Sequence, residues 1–208
     1  MRYLEFRDAL HDFGIFSVRD ITKLFPDFDT RRLVEWKRKG YIRKLINKWY
    51  LFSDISIDDR LHYRISNRLC RPSYISLESA LSYYNLIPEA VFSQQNITTR
   101  KTITYDTIAG QFHYRSLKPH LFFGYSADRN ETIPVLIADP EKAILDYLYL
   151  NSHLNTIEDV DALRLNMTVF NDIVDWDKLE KYAVCYESPT LNRRIRILQK
   201  IRDHADIN

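Results

Sequence analysis

Apolar positions in the first fifty residues recur at helical spacing in three short runs and then thicken into strand-like stretches. Leu4 or Phe6, Ala9, Leu10 and Phe13 share one face of a first helix, which Gly14 ends. Ser17 stands directly before residues 18–25, where its hydroxyl can accept from the free amides of a new helix, and Asp20 completes a capping-box pattern. Pro26 lacks an amide proton and limits that helix to about two turns. Asp29 can cap a third helix over residues 30–39, with Leu33, Trp36 and Val34 or the methylenes of Lys37 inward and Gly40 at its close. Residues 41–46 and 49–52 are β-rich and flank Asn47 and Lys48, a hairpin in which asparagine takes the positive φ.

Beyond this head, a polar helix starting at Ile57 places Leu61, Ile65 and Leu69 in register and bridges to the rest of the chain. Ser76 caps a short helix whose buried stripe is Leu77, Ala80, Leu81 and Tyr84. The period then drops to two: residues 97–105, 112–117, 121–125 and 132–137 read as strands, with Gly110, Pro119 and an Asp128-Arg129-Asn130 turn between them. Their short connections predict an antiparallel sheet. Asp139, Pro140 and Glu141 begin a helix that packs Ala143, Ile144, Tyr147 and Leu148 on that sheet. Two more helices close the chain; the last turns Leu191, Ile195 and Leu198 inward and presents Arg193, Arg194, Arg196 and Lys200 as a basic patch suited to a partner. The expected class is α+β: a winged helix-turn-helix over residues 1–55, then an α/β C-terminal domain over residues 56–208 with an antiparallel sheet and a helical end.

Charge sharpens the picture of the head. Residues 1–52 hold 12 Lys and Arg against 7 Asp and Glu, whereas the remainder holds 18 against 21. A basic head on a slightly acidic body points to a polyanion bound by the head alone. Two short helices joined by a tight turn, the second one basic, followed by a basic hairpin, match the helix-turn-helix arrangement. Thr30, Arg31 and Glu35 can reach base edges, while Arg32, Arg38 and Lys39, with Lys44 and Lys48 on the wing, suit phosphates. Ser17 and Arg19, at the start of the second helix, complete the candidate DNA-binding set.

Composition argues against other classes. With 45% hydrophobic residues and 4 glycines the chain is neither disordered nor linker-rich. Charges every few residues from the N-terminus, and the lack of a long apolar run, predict a cytoplasmic chain without membrane contact. Cys70 and Cys185 stand outside any C-x-x-C spacing and read as core thiols, and the 6 histidines show no metal-ligand spacing, so neither metal nor cofactor is expected. Asp139 and Glu141, which a metal-dependent nuclease could use, are accounted for as helix-start residues, as are Ser76 and Glu78. An enzyme is not expected.

The phrases PSYISLESALSYYNLIPE, TTRKT, GQFHYRSL, LFFGY and ADPEKAILDYLYL, behind the N-terminal head, resemble the AbiEi-type antitoxins of type IV toxin-antitoxin systems, over about residues 16–150. The family's pattern has glycine where this chain has Asn47 and Asn85. The resemblance implies a transcriptional autorepressor of an abortive-infection operon that binds double-stranded promoter DNA. It also implies a functional partner, an AbiEii-like nucleotidyltransferase toxin, countered through the C-terminal domain. Two other readings stay open: a stand-alone transcription factor whose C-terminal domain binds a ligand or dimerises, and a DNA-processing enzyme targeted by its head.

Overall fold

The computed structural model describes residues 2–88, 92–128 and 134–205. Arg129 and Asn130 of the expected turn, and Thr132 and Ile133 of the expected strand, lie outside the described residues.

In the head, α1 (Tyr3–Leu10) and a 3-10 turn (His11–Phe13) lead into β1 (Ile15–Ser17), α2 (Val18–Leu24), α3 (Arg31–Arg38), β2 (Ile42–Ile46) and β3 (Trp49–Phe52). Local chemistry sets these limits. The Ser17 hydroxyl accepts from the Asp20 amide at 3.1 Å while an Asp20 carboxylate oxygen accepts from the Ser17 amide at 2.8 Å, a reciprocal cap that starts α2. At the end of α3 the Tyr41 amide reaches back to the Trp36 carbonyl and the Gly40 amide to Lys37, with Gly40 at φ 75°, a conformation open to a residue without Cβ. The cap at the other end differs from expectation: Thr30 is the N-cap residue, and Asp29 accepts from the Arg31 amide at 3.0 Å. In the hairpin turn the positive φ, 66°, falls on Lys48 rather than on Asn47.

β3 is the centre of a three-stranded antiparallel sheet in the order β1-β3-β2. On it Phe6, Leu10, Ile21, Leu33, Trp36 and Phe52 form one core. β1 is only three residues long and all three are buried, so it shows no alternation from which a strand could be read.

The body carries α4 (Asp59–Leu69), β4 (Ser73–Ile75), α5 (Leu77–Tyr83), β5 (Ser93–Thr98), β6 (Ile103–Thr107), β7 (Gly110–Ser116), β8 (Tyr125–Asp128), β9 (Val135–Ala138) and α6 (Pro140–Leu150). α7 (Ile157–Asp161), α8 (Met167–Ile173), α9 (Trp176–Val184) and α10 (Pro189–Ala205) follow. Its sheet has the order β6-β7-β5-β4-β9-β8 and is mixed, which corrects the antiparallel expectation. β5 pairs with β7 in parallel and β4 with β9 in parallel. The physical reason is strand order: β7 turns back from β6 as a hairpin but inserts beside β5, so short connections coexist with parallel neighbours. The strand expected at residues 121–125 gives way to a 3-10 turn at Pro119–Leu121, and the strand itself starts at Tyr125. Gly124, at φ 69°, makes that corner; a Cβ there would meet Tyr182 at 2.8 Å and Lys142 at 3.2 Å.

α4 joins the two sheets. Its Leu61, Ile65 and Leu69 share a core with Ile15, Leu45 and Leu51 of the head and with Phe112 and Tyr114 of the body. Cys70 is buried, but Cys185 is exposed, contrary to the core role expected of both. Among the described residues no helix is long and apolar enough to cross a membrane.

Candidate nucleic-acid interface

Leu33 and Trp36, each 3% exposed, anchor α3 in the head core and thereby turn its opposite face outward. On that face Thr30, Arg31, Arg32, Arg38 and Lys39 are exposed, and Glu35 is half-buried. Arg31 and Lys39 are paired with carboxylates. Arg31 donates through Nε to both Asp29 carboxylate oxygens at 3.0 Å, and Lys39 Nζ lies 2.7 Å from Glu35. Asp29 and Glu35 are held below the usual carboxylate range by these hydrogen bonds, and Arg31 and Lys39 are raised in turn. Such exposed pairs contribute little to stability, so a phosphate can replace the carboxylate at small cost. Arg38 makes no ion pair among the described residues. Val34, which the sequence left open to an inward position, is 69% exposed between Arg31 and Arg38.

The hairpin brings further cations. Lys44 and Lys48 are exposed, and the Lys48 carbonyl accepts from the Val18 amide at 3.0 Å, so the hairpin tip abuts the start of α2, where Arg19 is exposed too. Ser17 does not belong to this surface: it is 8% exposed and its hydroxyl is committed to Asp20. It is a capping residue, and its place in the candidate DNA-binding set is withdrawn.

One contributor was missed from sequence. Arg68 of α4 lies 2.8 Å from Asp20 of α2, with its guanidinium 5.4 Å from the Phe13 ring centroid and 5.6 Å from Trp49 on β3. Burial lowers its pKa, with Asp20 acting in opposition. Arg68 thus ties α4 to α2 and the hairpin, fixing the head on the body. Its position three residues after Ile65, within the inward stripe of α4, is the signal that marks a cation used internally.

The C-terminal basic patch resolves into two parts. Arg193, Arg196 and Lys200 are exposed, Arg193 donating to Asn155 at 2.6 Å. Arg194 is 4% exposed and donates to the carbonyls of Leu148, Ser152 and Leu154 at 2.6–3.0 Å. Together with Arg115, which reaches the Leu150 carbonyl at 2.5 Å, it satisfies the orphan end of α6, where a helix attracts cations. Arg194 is therefore removed from the partner-binding set.

The helix-start residues of the body stand where expected, Ser76 and Asp139 at N-cap positions and Glu78 and Glu141 in the first turns of α5 and α6, but neither N-cap side chain makes a cap hydrogen bond. Ser76 donates to Asp146 at 2.9 Å, Asp139 accepts from Tyr182 at 3.1 Å, and Glu141 accepts from the Asp175 amide at 2.9 Å. Lys178 Nζ lies 3.1 Å from Asp139 and 2.9 Å from Glu141, so these carboxylates hold α9 against α6. Beneath them Lys142 and Asp146 pair with no exposure, joined by the Tyr74 and Tyr186 hydroxyls at 2.9 and 2.7 Å from Asp146. Among the described residues no three His, Cys, Asp or Glu side chains cluster as a metal site would need. A cavity of about 310 Å³ lies between α4, α5 and the β6–β7 turn, lined by Asp59, His62, Tyr63, Ser79, Gln94 and Gln111.

No protein-family model matches this chain, and a search of curated proteins found no significant match.

Proposed function

We propose that the protein is a DNA-binding transcriptional regulator whose head is a winged helix, with α3 in the major groove and the β2–β3 hairpin as the wing. The observation that carries this reading is α3 itself: an eight-residue helix, anchored by Leu33 and Trp36, that presents Arg31, Arg32 and Arg38 to solvent beside a hairpin bearing Lys44 and Lys48. The succession helix, strand, helix, helix, hairpin and the sheet order β1-β3-β2 support it. Cations in this arrangement displace counterions from a duplex. The test is a promoter-shift assay at moderate salt, in which Arg31→Ala with Arg38→Ala abolishes binding; a double variant that binds as the parent does overturns the assignment of α3.

The resemblance to AbiEi-type antitoxins makes the promoter that of the regulator's own operon, and makes a nucleotidyltransferase-like toxin the activity the body opposes. Co-expression decides this. Cells carrying the neighbouring toxin gene grow when the full chain with Arg31→Ala and Arg38→Ala is supplied, and growth arrest despite that variant counts against it. A second reading, a body that binds a small polar ligand, is favoured by the cavity beside His62, whose ring hydrogen-bonds the Ala109 carbonyl.

A further inference from the structure

We infer that Val34 reads the C5-methyl group of a thymine, which makes it a specificity-determining residue of the α3 face. The inference rests on the reading of α3 as the helix that enters the major groove, and names a base feature it recognises there.

Val34 is 69% exposed in the second turn of a helix whose other outward residues are polar or charged. Arg31 and Arg38, three residues before it and four after it, are its neighbours along the helix surface. Its exposure is that of a surface residue. The valine gains no burial, and a β-branched side chain loses rotamer freedom in a helix, so an exposed valine is a poorer choice than alanine, lysine or glutamate for stabilising α3. A docking protein would need a contiguous apolar patch, whereas this is one isopropyl group on a helix face it shares with Arg31 and Arg38. The major groove offers the matching surface: flanking phosphates for arginines and, on each A·T pair, a single methyl standing among hydrogen-bonding base edges. Arg31, whose guanidinium grips a carboxylate at the helix start, then holds a phosphate in place of the base edge its position first suggested, Arg38 holds another, and Val34 covers the methyl. Glu35 on the same face, paired with Lys39, leaves Val34 as the apolar reader.

The test uses the full chain and a pool of duplexes with randomised cores. Bound sequences are selected, and each thymine of the selected site is replaced singly by deoxyuracil, which removes only the methyl. For the parent, one or two substitutions weaken binding about fourfold each, the value of one buried methyl-sized group. Val34→Ala binds the parent site about fourfold more weakly and is indifferent to those same substitutions. Its circular dichroism and sedimentation match the parent's, since the residue is exposed. Equal sensitivity of the two proteins to deoxyuracil, or none in either, overturns the inference while leaving DNA binding intact. A change of oligomeric state in Val34→Ala assigns the residue to a protein contact and also overturns it. Failure of the parent to select any duplex sinks the DNA-binding reading itself.

Discussion

On α3, Glu35 and Lys39 meet four residues apart with both side chains nearly half exposed, whereas on α6 Lys142 and Asp146 pair at the same spacing with neither exposed. The spacing of the two pairs is the same, with acid and base in opposite order, but their physics is opposite. In water the α3 pair is screened, exchangeable and of little weight in the stability of the head. In the body the pair has lost its water and must be satisfied from within: Tyr186 accepts from Lys142 at 2.6 Å, and the hydroxyls of Tyr74 and Ser76 close around Asp146. Burial pulls the Lys142 pKa down while Asp146 holds it up. The α3 pair is thus loosely held at the surface, whereas the α6 pair is locked into the packing of the body.

Breaking the buried pair should give the largest effect. Asp146→Ala leaves an uncompensated ammonium in the core and is expected to destabilise the protein by about 3–5 kcal/mol in chemical denaturation. Replacing both residues by apolar ones of similar volume should recover most of that loss. If the single change is silent, the pair is not a core element. Arg194→Ala follows, at about 2–3 kcal/mol, because the carbonyls of Leu148, Ser152 and Leu154 lose a charged donor together. Arg193→Ala, Arg196→Ala and Lys200→Ala should leave the melting temperature unchanged, and a comparable drop in any of them would erase the distinction drawn between buried and exposed members of the patch.

The aromatic hydroxyls sharpen the contrast through pH. Burial raises the pKa of Tyr74, Tyr84, Tyr114 and Tyr186 well above the ordinary 10.0. The fold therefore favours their protonated form: this contribution is fully present below pH 10 and declines as pH rises past it, since only the unfolded chain ionises there. An absorbance titration should show these four ionising only with unfolding. All tyrosines ionising together at the ordinary pH, with no unfolding step, contradicts it. The smallest effect is expected for Glu35→Gln, with no change in melting temperature and somewhat tighter binding to DNA, because the carboxylate that holds Lys39 and repels phosphate is gone.

The sequence made the head legible because its signals are local. The Ser17–Asp20 box, Pro26, Gly40 and the Asn47-Lys48 turn each act within a few residues. Sheet order in the body is not a local property. Nothing in the hairpin of β6 and β7 tells that β7 lies beside β5, and β1 and β4, at three residues each, are too short to show alternation. Asn85 stands at φ 56°, where the family resemblance led to a glycine; asparagine tolerates that region. The candidate site was legible in its cations but not in their availability. Arg194 occupies the same stripe as Leu191, Ile195 and Leu198, and that register marks it as inward, yet its charge suggested solvent. Ser17 had two readings, cap and contact, and the cap consumes its hydroxyl.

The most direct measurement is the salt dependence of binding to the selected duplex, for the parent and for the variant with Arg31→Ala and Arg38→Ala. If the outward face of α3 docks on DNA, the variant binds more weakly at every salt concentration, and its plot of log affinity against log salt is shallower by about two, roughly one for each phosphate that an arginine no longer neutralises. Parallel plots with equal affinity would show that these arginines do not meet the duplex.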